Sequence, residues 1–359
     1  DRSAFRTIEP RSTPLDPSKA AGLAGPTPQM APGVQRSADV NGDGHDDLVT
    51  AVGLTGSGYR AYISVMLGIG DGTYTDPIWS LAIPTSAPNG TTPYDMVVGD
   101  VDGDDNLDVI MSVTNFSSGL LALALGNGDG TFADPITSQA VPNPGYLKLG
   151  KWGGTADVQL AVTGASSTIH VVDVNPEGFD DLTPAGVGWK NNNWRVNAIE
   201  AADVDEAGQS ELYIAMDNSY VDGEGIQRLT DLTSPTPSNT WVAGVNFGVL
   251  RMAFADIDGD SKLDLTVAER RSVGYGNEYR MRTVALPGRA PGADPFGDPV
   301  RLSVHDAYCP DRMDAGRMLP ADMDADGDLD LVTQNCQWGE VNYIRVALND
   351  GAGAFTLSH

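Results

Sequence analysis

Apolar residues along this chain fall in short bursts separated by clusters of Gly, Asn, Asp and Pro. The stretch from Tyr94 to Val141 displays the pattern best, as "YDMVVGDV", "LDVIMSVT", "GLLALALG" and "FADPITSQAV". Runs of this length rich in Val, Ile and Leu predict β-strands, and the polar clusters between them predict hairpin turns. An all-β chain is expected, and the 42 Gly and 23 Pro agree with many tight turns.

The pattern repeats. An acidic decapeptide, "DVNGDGHDDL" at Asp39, returns as "DVDGDDNLDV" at Asp100, "DIDGDSKLDL" at Asp256 and "DMDADGDLDL" at Asp322. A weaker copy, "DVDEAGQSEL", begins at Asp203, and "KWGGTADVQL" at Lys151 keeps only the position and the apolar residues that follow. The six starts lie about fifty to sixty-five residues apart, the signature of an array of supersecondary units. A second motif recurs inside the units, as "LGIGDGTYTDP" from Leu67, "LGNGDGTFADP" from Leu125 and, in worn form, "VDVNPEGFDDL" from Val172. The last imitates an acidic loop through Asp173, Asn175, Glu177 and Asp181, but its register makes it a turn. Four antiparallel strands per unit, repeated radially, predict a single β-propeller over residues 33–359. Six blades are expected, with seven the alternative. Residues 1–32 carry six prolines and are expected to form an N-terminal arm with no regular structure beyond an isolated edge strand.

A hard cation such as calcium takes six to eight oxygens, and alternate residues of a tight loop aim theirs at one point. In the first loop the donors are expected to be Asp39, Asn41, Asp43, the main-chain carbonyl of His45, and Asp47. The equivalent sets are Asp100, Asp102, Asp104, Asn106 and Asp108; Asp256, Asp258, Asp260, Lys262 and Asp264; and Asp322, Asp324, Asp326, Asp328 and Asp330. Asp105 and Ser261 stand where Gly44 makes the sharp turn in the first loop. Asp203, Asp205 and Glu211 form a weaker possible site, because Ala207 replaces the third oxygen. About four calcium ions are expected, as staples of the hairpins rather than as catalysts.

These loops and "LGNGDGTF" resemble the FG-GAP or VCBS repeats of integrin-α-like propellers, over nearly the whole chain after residue 32. The resemblance implies a calcium-binding propeller. Open loops of this kind need abundant free calcium, which favours an extracellular setting with any signal peptide already removed. That setting makes a disulfide between Cys309 and Cys336 plausible. The net charge of −27 disfavours nucleic acid and anionic lipid. No apolar run approaches the roughly 18 residues a membrane helix needs.

Function is expected on the face opposite the acidic loops. There "HDAYCPDRMDAGR", 305–317, gathers His305, Tyr308, Arg312 and Arg317, the base and cation types a polysaccharide lyase requires, although ordinary loop chemistry also explains them. Near the starts of the innermost strands, Arg36, Asp95, Tyr146, Lys148, Glu200, Arg251 and Arg317 occupy positions that can converge on a central channel, with interblade salt bridges the plainer reading. Asp95 and Glu200 are also the carboxylate pair a glycoside hydrolase requires. Trp194 and Trp338 are candidates for stacking on a sugar ring. The six tryptophans are not at equivalent positions of successive units, which points to one composite site rather than one per blade. The expected function is a lectin-like module for a glycan or polysaccharide, the alternatives being a polysaccharide-active enzyme and a protein-interaction or adhesion propeller.

Overall fold

The computed structural model describes residues 29–31, 34–55, 60–81, 92–114, 118–152, 158–165, 168–183, 187–188, 195–217, 225–234, 237–242, 245, 248–272, 279–286, 288, 295–298, 300–309, 318–324, 326–335 and 343–357. These residues are all-β, and their strands assemble into six antiparallel sheets in chain order. Sheets 2, 4, 5 and 6 have four strands each, and sheets 1 and 3 have five. Sheets 2, 4, 5 and 6 are meanders of consecutive strands, and each sheet corresponds to one sequence unit. In sheet 2 the strands are Thr92–Gly99, Asp108–Thr114, Gly119–Ala124 and Ile136–Ser138. The fourth is much shorter than its sequence run, because Asp134 and Pro135 interrupt the start.

The apolar bursts are nearly continuous rather than alternating because both faces of a central sheet are buried. Val109, Met111 and Val113 pack towards sheet 1, while Ile110 between them packs with Leu121 and Leu123 towards sheet 3. Apolar clusters of this kind lie between sheets 1 and 2, 2 and 3, 3 and 4, 4 and 5, and 5 and 6. The core is therefore divided among interfaces. The first strands of successive sheets, from Gln35–Ala38 through Thr92–Gly99, Leu147–Gly150, Arg195–Ala202 and Gly248–Ala255 to Met318–Ala321, neighbour one another and form the inner ring of a β-propeller.

Those inner strands share an irregularity. The pairing register slips by one residue just before Asp95, Ala198 and Arg251, leaving Tyr94, Asn197 and Leu250 as bulge residues. A bulge bends its strand and redirects a side chain. Here two of them reach the next sheet: Tyr94 meets Tyr146 edge-on at 5.1 Å, and Asn197 Nδ2 donates to the Val249 carbonyl at 2.8 Å.

The proline-rich arm supplies a short edge strand, Gln29–Ala31, paired with Gly53–Thr55 of the strand that Gln35–Ala38 also pairs with. "SAFRTI", 3–8, lies outside the described residues. At the other end of the chain, the first five residues of "HDAYCPDRMDAGR" are not loop. They end the outer strand Val300–Cys309, paired with Tyr279–Leu286 across an irregular register.

Candidate metal-binding loops and the inner-strand mouth

Each acidic loop follows an inner strand and is closed by its own first carboxylate. Asp39 Oδ1 accepts the amides of Gly42 and Asp43 at 2.8 and 3.1 Å, and Oδ2 accepts that of Gly44 at 2.8 Å. Asp100 does the same with Gly103 and Asp105, and Asp256 with Asp260 and Ser261. Alternate carboxylates are drawn together as a result. One oxygen from each of Asp100, Asp102 and Asp108 lies within 4.8 Å of the others, and the same holds for Asp256, Asp258 and Asp260 and for Asp322, Asp324 and Asp330. Burial and the neighbouring carboxylate of Asp104 push the Asp102 carboxyl up, so a cation between them would relieve a real repulsion. This hard, all-oxygen donor set fits a divalent metal ion.

The last carboxylate of each regular loop has a second task. Asp108 is buried, with Oδ2 accepting the Val101 amide at 2.9 Å and Oδ1 the Gly126 amide at 2.8 Å. Asp47 holds Val40 and Gly68, Asp264 holds Ile257 and Gly288, and Asp330 holds Met323 and Asn349 in the same way. Val101 belongs to the acidic loop, whereas Gly126 opens the "GNGDG" turn between the third and fourth strands. The carboxylate therefore ties together the two connections on this face of the blade. Sequence spacing identified it as a ligand only, since a bond to a main-chain amide leaves no trace in residue identity.

The side chain two residues before it packs over that second turn. A Cβ on Gly128 would lie 2.3 Å from Asn106 Oδ1, and one on Gly70 would lie 2.3 Å from the His45 ring. The imidazole lies against Gly70 while His45 itself is exposed. Asp105 and Ser261 hold φ of 69° and 66°, the left-handed conformation that Gly44 adopts at 84°. Their turns are made, but at the steric cost a Cβ carries there. Asp105→Gly and Ser261→Gly should each raise unfolding free energy by up to about 1 kcal/mol in urea titrations. A loss in both would contradict this account of the turn.

The fourth loop has the regular main-chain bonds, with Asp203 accepting from Ala207 and Gly208, and its Asp203, Asp205 and Glu211 oxygens also gather within 4.8 Å. A guanidinium enters this group. Arg228 Nη2 donates to Asp205 Oδ2 and to Glu211 Oε1, both at 2.7 Å. Arg228 comes from the third strand of sheet 4 and is 8% exposed.

On the inner strands, charged residues three to five positions before the loops form ion pairs between sheets. Arg36 Nη2 meets Asp95 Oδ1 at 2.6 Å, and Lys148 Nζ meets Glu200 Oε2 at 2.7 Å. Asp95 reaches a third sheet, its Oδ2 accepting the Leu147 amide at 2.9 Å. Arg251 Nη1 donates to the Asn197 carbonyl at 3.1 Å. The pairs also sense one another: burial pushes the Glu200 carboxyl up, and Lys148 and then Arg36 pull it back. Burial likewise pushes the Tyr146 hydroxyl up, with Tyr94 and Asp95 adding to the shift and Arg251 opposing it. The Arg36–Asp95 and Lys148–Glu200 contacts are interblade salt bridges, the plainer of the two readings from the sequence. Tyr94, which sequence reasoning passed over, is 45% exposed beside it. Its signal was available in the position just before Asp95, but only the pairing register marks that position as a bulge.

Other residues singled out from the sequence fall elsewhere. His305, Tyr308 and Cys309 sit on the outer strand of sheet 5, away from the inner ring. Arg312, Arg317, Cys336, Trp189, Trp194 and Trp338 lie outside the described residues, and with them the expected Cys309–Cys336 disulfide. Trp152 is core, Trp79 packs edge-on against Tyr62, and Trp241 is 48% exposed on an outer strand. "VDVNPEGFDDL" is a hairpin turn between Thr168–Asn175 and Gly178–Asp181, as its register indicated.

No curated protein matches this chain. Residues 39–111, which span the first two acidic loops and the "LGIGDGTY" turn, match the family model described as an FG-GAP-like repeat. The chain thus carries an FG-GAP-like repeat at residues 39–111, set in antiparallel sheets arranged as a β-propeller.

Proposed function

We propose that this propeller is a secreted, calcium-stabilised binding module that takes a glycan at the inner-strand mouth, opposite the acidic loops. The observation that carries the reading is the exposed Tyr94, held edge-on against Tyr146 beside the Arg36–Asp95 and Lys148–Glu200 pairs. An aromatic face matches the apolar face of a pyranose, and fixed charged groups beside it supply hydrogen bonds to hydroxyls. Each inner strand contributes different residues, which favours one composite site over a repeated one. On this reading six blades close the ring.

Calcium in the loops starting at Asp39, Asp100, Asp256 and Asp322 would supply cross-linking charge rather than chemistry. The chain's own part is to hold three or more hard oxygens at one point, and the loops at Asp100, Asp256 and Asp322 bring three carboxylate oxygens within 4.8 Å of one another.

A glycan array probed with the full chain in calcium and in EDTA tests the reading, followed by titration of any hit with Tyr94→Ala. Binding weakened at least about tenfold by Tyr94→Ala, with the melting temperature unchanged, is the expected result. Absence of any bound glycan would overturn it, and release of unsaturated products from an acidic polysaccharide would replace it with a lyase.

A further inference from the structure

We infer that the fourth acidic loop takes no divalent ion because the chain supplies its own cation there, the guanidinium of Arg228. The inference rests on the calcium reading of the other loops, and it concerns the loop whose residues do not fit an ion.

Strand register identifies the substitution. Counting from the last acidic position of each loop, the residue on the third strand that faces the second residue after it is Val65 in sheet 1, Leu123 in sheet 2 and Val171 in sheet 3. In sheets 5 and 6 it is Ala285 and Val346. Only sheet 4 places a charge at this position, Arg228 opposite Tyr213. Two further departures occur in the same blade. Ala207 removes an oxygen donor, and Glu211 replaces the aspartate of the four regular loops with a side chain one methylene longer.

The three changes fit together. A guanidinium carries a single delocalised positive charge, so it needs fewer carboxylates than a divalent ion does. The longer Glu211 reaches Arg228 Nη2 at 2.7 Å while its Oε2 still accepts the Val204 amide at 2.9 Å. In regular loops that first oxygen accepts an amide from the end of the third strand, as Asp108 does from Gly126. Arg228 thus stands in for both the amide and the ion. Asp205 and Glu211 cannot serve a second cation at the point where one guanidinium nitrogen already touches both. Blade 4 is cross-linked without calcium, unlike blades 1, 2, 5 and 6 on the calcium reading.

Calcium bound per chain, counted by native mass spectrometry on the full-length protein, provides the test. Asp102→Ala and Asp258→Ala should each remove one ion, whereas Asp205→Ala should leave the count unchanged. Loss of an ion in Asp205→Ala would overturn the inference. Stability in EDTA gives a second readout: Arg228→Met should lower the melting temperature by roughly 4 °C or more, with Arg228→Lys recovering part of it. An unchanged melting temperature in Arg228→Met would also overturn the inference. If wild-type protein binds no calcium, the calcium reading of the regular loops falls, and the EDTA comparison alone decides the role of Arg228. Should Arg228→Met not fold, Asp205→Ala in EDTA serves in its place, with the same expected loss.

Discussion

Asp108→Ala should lower unfolding free energy by about 3 to 5 kcal/mol, even when calcium is absent. The variant leaves the Val101 and Gly126 amides without their acceptor at a buried site, and each orphaned amide costs roughly 1–3 kcal/mol. Burial pushes the Asp108 carboxyl up and the two amides hold it down, so part of the gain is relief of a desolvated charge. That offset keeps the expected loss near the middle of the range. Urea titrations in EDTA and in calcium separate its two tasks. The loss in EDTA measures the amide tie, and the extra loss in calcium measures its share of an ion. A change below about 1 kcal/mol in EDTA would mean that the tie is incidental.

Asp95→Ala is expected to be the second most damaging change, at roughly 2–3 kcal/mol. Its carboxylate joins three sheets, accepting from Arg36 of the first, from the Met96 amide of its own strand and from the Leu147 amide of the third. Removing a buried partner usually costs 3–5 kcal/mol, but Arg36 keeps a third of its side chain in water and recovers part of its solvation. Arg36→Gln should therefore cost less than about 1 kcal/mol. The contrast is the measurement: equal losses in the two variants, in parallel denaturant titrations, would show that the exposed ion pair rather than the amide bond carries the effect.

How far these features were legible in the sequence follows from which physical constraint each one obeys. Strands and turns could be read because both faces of a central sheet are buried, so bursts such as "LDVIMSVT" stay apolar throughout, and because left-handed turns select Gly. The acidic loops could be read because metal-type coordination fixes donors at alternate positions. Arg228 could not, since it lies far along the chain from Asp205 and Glu211 and becomes their neighbour only through strand pairing. The bulge at Tyr94 was hidden for a related reason, a one-residue slip having no compositional mark.

Division of the core among successive interfaces has a consequence for how the molecule comes apart. Each central sheet owes its burial to two neighbours and has no interior of its own. Stability is then a chain of nearest-neighbour terms, and damage at one junction is felt fully by the two sheets that share it and weakly beyond. Opening should spread as in a zipper from the junction between sheets 5 and 6, whose buried cluster among the described residues is the small set Ala255, Ile257, Leu331 and Ala347. Amide exchange would register that as a gradient around the ring, fastest in Met318–Ala321 and slowest in the twice-covered strands Asp108–Thr114 and Gln159–Gly164.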